Sequence, residues 1–332
     1  MIPKRCVRDR RSFLRCLSSA ALYGAFDRVH SASTARVGYL FAGTRQSVEP
    51  LIAAFESELA AQGRSHANGI SVEYVFSSPD PEKLRQSAFD LARKSDVLVV
   101  SGTICAIAAR DAGVRSPVVF PPAGFPFELG LVRSLKRPGT NFTGVSFEAA
   151  EDTYGKRLQM LKEIVPHLRI VAAIGDATDL NIVPSLDSLH RSAPQLGIEV
   201  LDVKLDRREK LDVAFARIPH RSVQGLVVIA GVFTYGNRAA LAELALSHGF
   251  PSIHAFKESV ADGALLSLGP DLVVIASQAA DYVDKILGGV SPADLPVQQP
   301  SRYEVGLNLT SARRLRLEVP PSLLSRADQI VQ

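Results

Sequence analysis

Hydrophobic positions in this chain come in two alternating rhythms. Short continuous apolar runs at 36–41 (RVGYLF), 70–76 (ISVEYVF), 96–100 (DVLVV) and 117–120 (PVVF) are separated by stretches of helical spacing. Val48, Leu51, Ile52, Phe55 and Leu59 recur at that spacing behind Ser47 as a cap, and Leu84, Ala88 and Leu91 follow Asp80-Pro81, where proline suits a first helical turn. A small-residue helix starts at Thr103. Strands that are apolar throughout, rather than alternating, fit a parallel sheet covered on both faces, so the first unit reads as doubly wound α/β.

After a loop of about two dozen residues the pattern restarts. A helix with Tyr154, Leu158, Leu161 and Val165 leads to strand-like runs at 169–175, 199–205 and 225–230, each followed by a helical stretch, then to runs at 251–255 and 264–269 and a helix with Ile275, Ala279, Tyr282 and Ile286. Two consecutive βα series predict two doubly wound parallel-sheet lobes joined by a hinge. The last forty residues differ: Pro292, Pro296 and Pro300 punctuate an extended run, which precedes a strand-like YEVGLNL (303–309) and two short helical pieces. Such a run suits a segment crossing the surface from one lobe to the other.

Length and composition agree with two cores, at 332 residues and 46% hydrophobic positions. The net charge of +4 is misleading. Residues 1–33 hold seven basic and two acidic side chains, so the rest carries −1 and nothing points to nucleic acid. That leader has the parts of an export signal: a basic start, a modest apolar stretch at 16–26 and small residues at Ser31-Ala32-Ser33. Its Arg10-Arg11-Ser12-Phe13-Leu14-Arg15 is similar to a twin-arginine signal, implying extracytoplasmic, periplasmic residence after export by that route. Removing it leaves one cysteine, Cys105, and hence no disulfide framework. No later apolar run reaches the ~20 residues of a spanning helix.

The tail, together with SGT (101–103), LGLVRSLKRPGTNFTGVS (129–146), GKRLQMLKEIVP (155–166) and KESVADGALLSLGP (257–270), closely resembles bacterial ABC-transporter substrate-binding proteins, in the group exemplified by tryptophan and tyrosine binders. The resemblance implies a type I periplasmic-binding-protein fold whose chain crosses the hinge three times. On that basis lobe 1 comprises 36–145 plus about 256–298, and lobe 2 comprises 146–255 plus about 299–332. It further implies a monomeric receptor that closes on a small carboxylate-bearing solute, with an apolar or aromatic amino acid as one candidate. The solute is then delivered to a permease and ATPase, without cofactor or metal.

In open parallel sheets ligands bind beyond the carboxyl ends of the strands, where helix N-termini offer unpaired N–H groups. For lobe 1 this selects Gly43 and Thr44, then Ser101, Gly102 and Thr103 as the carboxylate site, and Pro121 and Phe125. For lobe 2 it selects Asp176, Asp179 and Asn181, then Gly231 and Phe233, and His254 and Phe256. Relatives commonly carry Gly-Asp-Pro where this chain has Gly124-Phe125-Pro126, and Ala-Asp where it has Ala230-Gly231. Two acidic partners for a ligand ammonium are thus missing, with Asp176 or Asp179 as replacements. The rival readings are a ligand-presenting sensor on the same fold and an enzyme using Cys105. The second lacks the paired cysteines that a two-lobed racemase needs.

Overall fold

A computed structural model describes residues 34–64, 69–148, 153–207 and 209–332; residues 1–33, where an export signal is expected, lie outside the described residues. The first sheet is built from β1 (Ala35–Ala42), β2 (Ile70–Ser77), β3 (Val97–Ser101), β4 (Val118–Ala123) and β5 (Phe142–Ser146). Between them lie α1 (Arg45–Ala61), α2 (Pro81–Ala92) and α3 (Thr103–Asp111). The strand order is β2-β1-β3-β4-β5 and every pairing is parallel. Strand periodicity sorts the core: Val37, Tyr39 and Phe41 of β1 pack on the α1 side, Leu40 and Ala42 on the α2 and α3 side. The central β3 is buried at every position, as its unbroken VLVVS run requires. Asp80 caps α2 by accepting from the Lys83 amide at 3.0 Å, with Pro81 at the first helical position.

β5 was hidden in the long loop because Thr143 and Gly144 interrupt its apolar pattern. The glycine is required there: its φ is +146°, and a Cβ would stand 2.3 Å from the Phe120 carbonyl oxygen, beside a register shift in β4.

The second lobe alternates α4 (Thr153–Ile164), β6 (Ile170–Asp176), α5 (Ile182–Ser192), β7 (Glu199–Leu205), α6 (Leu211–Ala216) and β8 (Gly225–Val228). Then come α7 (Val232–Gly236), α8 (Arg238–Ser247), β9 (Ser252–His254), α9 (Glu258–Ala261) and β10 (Leu266–Gly269). α10 (Leu272–Leu287) returns to the first lobe and packs against α1. β11 (Glu304–Asn308), α11 (Leu309–Arg314), α12 (Pro321–Arg326) and β12 (Gln329–Val331) complete the second lobe. Its sheet has the order β12-β11-β10-β9-β8-β6-β7, parallel except where β10 meets β11.

The lobe boundary expected near residue 256 lies later in the structure. β10 pairs with β9 and β11, so 264–269 belongs to the second lobe, and only α10 and the Pro-rich run return to the first. Composition does not separate an apolar strand of one lobe from that of the other; pairing does. The run itself also docks rather than merely crossing: Gln298 exchanges backbone bonds with Gly144 (2.9 Å) and Ser146 (2.8 Å), extending the edge of β5.

The chain passes between the sheets after β5, after β10 and before β11, and these passages converge on Arg157. This arginine is wholly buried, donates from Nε to the Leu268 carbonyl (3.0 Å), approaches Glu148 at 3.4 Å and lies over the Tyr154 ring. Tyr303, on the last passage, donates to the Phe147 carbonyl at 2.9 Å. At Gly269 a Cβ would stand 1.8 Å from the Ala255 carbonyl, so close backbone approach holds the second passage in place.

Candidate functional site

The carboxyl ends of both sheets face one interlobe cavity of about 60 Å³. Its first-lobe wall includes Ser101, Gly102 and Thr103, where β3 turns into α3, and its second-lobe wall includes Asn181, Gly231 and Phe256. These six are sequence-selected residues that the fold brings together. The turn depends on Gly102, which sits at φ +94° with Val232 of the opposite lobe packed 2.6 Å from where a side chain would begin.

At the start of α3 the amides of Cys105 and Ala106 both bond to the Gly102 carbonyl, leaving those of Thr103 and Ile104 ahead of the first helical bond. Together with the positive end of the helix dipole they suit an anion. The two hydroxyls here differ. Ser101 Oγ donates to the Pro121 carbonyl (3.0 Å), whereas Thr103 Oγ1 accepts from the Gly124 amide (2.9 Å) and keeps its proton for an outside acceptor.

Across the cleft, Asp176 ends β6 and is fully engaged. Arg207 Nε binds its Oδ2 at 2.7 Å, and its Oδ1 accepts from the amide and hydroxyl of Thr178. Arg207 also reaches the other lobe, donating to the Pro79 carbonyl at 2.7 Å, and its guanidinium lies over Phe233. Asp179 is different. Its Oδ1 accepts from the Asn181 amide (3.0 Å), while its Oδ2 is buried with no hydrogen-bond partner. Burial pushes its carboxyl up to about 6 despite that amide bond, with the neighbouring Asp176 adding to the rise and Arg207 opposing it. Asn181 Nδ2 donates to the Ala230 carbonyl (2.9 Å), leaving its buried Oδ1 without a partner.

The remaining sequence-selected residues lie off the cavity. Gly43 packs on the Phe41 ring and Thr44 is exposed at the start of α1. Pro121 serves Ser101, while its neighbour Pro122 forms the wall. Phe125, at φ +46°, turns toward the second-lobe core, and Phe233 packs with the cluster around β6 and β8. His254 is buried, its ring pushed down to about 3 by desolvation, and it does not reach the cavity. Asp179 stands one layer back, behind Gly231.

Of the apolar wall the strand-end rule found Phe256 and missed the rest. Phe147, Tyr235 and Leu272 border the cavity from the first crossing, from the one-turn α7 and from the start of α10. Phe147 and Tyr235 both meet the Phe256 ring edge-on, at 5.4 and 4.9 Å between centroids. The Val232-Phe233-Thr234-Tyr235 run that follows Gly231 was the available signal for Tyr235; nothing local marks Phe147. Cys105 lies within α3, and burial pushes its thiol up to about 12, so it carries no thiolate near neutral pH.

The family model for ABC transporter substrate binding proteins matches residues 46–331. A curated relative, the tyrosine-binding protein of Clostridioides difficile (strain R20291), is 24% identical over 265 residues, which is 80% of this chain and 76% of that one. Among solved structures, an ABC domain from Streptococcus pneumonia in complex with L-Trp is 21% identical, with a TM-score of 0.83 over 90% of this chain and 100% of that one. A ligand-free, open substrate-binding protein with adhesive properties from Clostridium difficile, also 21% identical, superposes with a TM-score of 0.65 over 90% of this chain and 99% of that one. With two parallel-sheet lobes, the chain has the type I periplasmic-binding-protein fold. It belongs to the family of ABC transporter substrate-binding proteins.

Proposed function

We propose that the mature chain is the extracytoplasmic receptor of an ABC importer and binds a small carboxylate-bearing solute between its lobes. The observation that carries this reading is the interlobe cavity, which joins the free amides of α3 and the Thr103 hydroxyl on one wall to the Phe147, Tyr235 and Phe256 rings on the other. A polar anchor plus an apolar wall is the usual composition of a small-molecule site. Relatives whose names specify tyrosine or L-Trp support an apolar or aromatic amino acid as the solute.

The cavity is far smaller than the ~300 Å³ or more of typical ligand pockets, so a solute enters only when the lobes part. The poorer superposition on the open, ligand-free relative than on the L-Trp complex at equal identity supports this, and the three passages between the sheets would serve as the hinge. The solute-loaded monomer would be handed to a permease and ATPase, and the leader would deliver the chain outside the cytoplasm by the twin-arginine route.

A thermal-shift screen of the chain from Thr34, against amino acids, aromatic acids, small peptides and sugars, tests the reading, because a ligand of the native state raises Tm. A carboxylate-bearing solute should stabilise the protein, and Thr103→Ala should weaken its binding about tenfold while costing the free protein only about 1 kcal/mol, for the lost Gly124 bond. Stabilisation by sugars alone, or an unaltered affinity in Thr103→Ala, would refute it.

A further inference from the structure

Polar atoms without partners are scarce in folded interiors, and where they gather at one cavity they mark what a ligand must supply. The first-lobe wall has donors to spare: the Thr103 hydroxyl and the first amides of α3. The second lobe has acceptors to spare, Asn181 Oδ1 on the wall and Asp179 Oδ2 behind it, each in a residue only 3% exposed. One solute that satisfies both walls is dipolar, with its anionic end toward α3 and a cationic, donor-rich end toward the second lobe.

Of the two acids in this loop, only Asp179 is available. Asp176 spends its charge on Arg207 and its second oxygen on Thr178. Among the described residues, no lysine or arginine forms an ion pair with Asp179. Gly231 explains how a carboxylate one layer back can meet a ligand. It borders the cavity, and Asp179 Oδ2 lies 3.0 Å from the point where a side chain on it would begin. The φ of Gly231 is 179°, an extended conformation open to any residue, so space rather than backbone geometry calls for glycine here.

Resting on the solute-binding reading above, we propose that Asp179 receives the ammonium group of an α-amino acid. It is reached across the bare α-carbon of Gly231 and assisted by Asn181 Oδ1, while the solute's carboxylate sits at the start of α3. The ammonium group donates to both orphaned oxygens and pairs a buried carboxylate that has no ion-pair partner among the described residues. Asp179 and Gly231 then act together, since any side chain at 231 would push the carboxylate away.

The test is titration calorimetry on the mature protein at pH 7.5, with hydrophobic L-amino acids and their des-amino counterparts, such as L-phenylalanine against 3-phenylpropanoic acid. The amino acids should bind at least tenfold more tightly than the matched acids. Asp179→Asn should cost the amino acids at least tenfold while moving the acids less than twofold, and Gly231→Val should imitate it. Wild-type affinities that are equal for both members of each pair overturn the ammonium site and leave the solute-binding reading standing; this comparison needs no variant to fold. Unchanged amino-acid affinity in a folded Asp179→Asn overturns it as well. Binding of no amino acid and no carboxylic acid removes both readings together.

Discussion

The two walls of the cleft are built on the same plan, strand ends facing helix starts, yet they are left in opposite states. In the first lobe the hydrogen-bonding capacity to spare is that of donors, because the helix that starts at Thr103 has no side chain covering its first amides. In the second lobe it is that of acceptors, because Asp179 bonds within its own loop and Asn181 donates to Ala230, each with one side-chain oxygen unused. Similar lobes thus give a polarised cleft. Polarity of this kind comes from which side chain spends its bonds internally, as Ser101 and Asp176 do, and which does not.

The lobes can be uncoupled at Arg157, where the largest effect is expected. Replacing it by Leu strands Glu148 as a buried charge and frees the Leu268 carbonyl, at a cost of about 3–5 kcal/mol. Urea unfolding followed separately by probes in each lobe should lose its single transition. Retention of one transition at wild-type denaturant midpoint would show that the pair does not join the lobes.

The spare acceptor predicts a pH effect on the free protein. The Asp179 carboxyl is raised in the folded chain to about 6, so between about pH 4 and 6 the native state holds a proton that the unfolded chain has lost. Stability therefore falls as pH rises through this window, and the full cost of roughly 3 kcal/mol remains above it. Asp176, Arg207 and Cys105 are the titratable groups that act on it. Asp179→Asn should raise Tm at pH 7–8, with the gain shrinking to nothing below pH 4. A gain independent of pH would assign it to packing instead.

Within the first wall, Ser101→Ala and Thr103→Ala should separate. Each variant loses one internal bond, to Pro121 or from the Gly124 amide, and about 1 kcal/mol of stability, but only the threonine variant also loses affinity. Matching melts and titrations on both decide this. The smallest effect belongs to Arg207→Lys, which keeps a cation beside Asp176 but gives up the planar fork that also reaches Pro79 across the cleft. Solute should bind about two- to threefold more weakly, through faster dissociation in stopped-flow traces.

Much of this could be read from residues one after another. Runs such as VLVVS and the 3.6-residue spacing of Leu84, Ala88 and Leu91 specify strands and helices because their periodicity is itself the requirement of burial. The strand-end rule located Ser101–Thr103, Asn181, Gly231 and Phe256, since a parallel sheet puts every such turn on one edge. Tertiary contact alone decided the rest. It moved β10 into the second lobe, because an apolar strand matches either sheet and only its partners tell them apart. It drew Phe147 and Leu272 into the cavity from crossings with no motif of their own. It also separated Asp176 from Asp179, two acids three residues apart in one loop, by giving the first an arginine 31 residues away and leaving the second facing a glycine 52 residues further on. Charge on a side chain is written in the sequence, but whether that charge is already neutralised depends on what folding brings beside it.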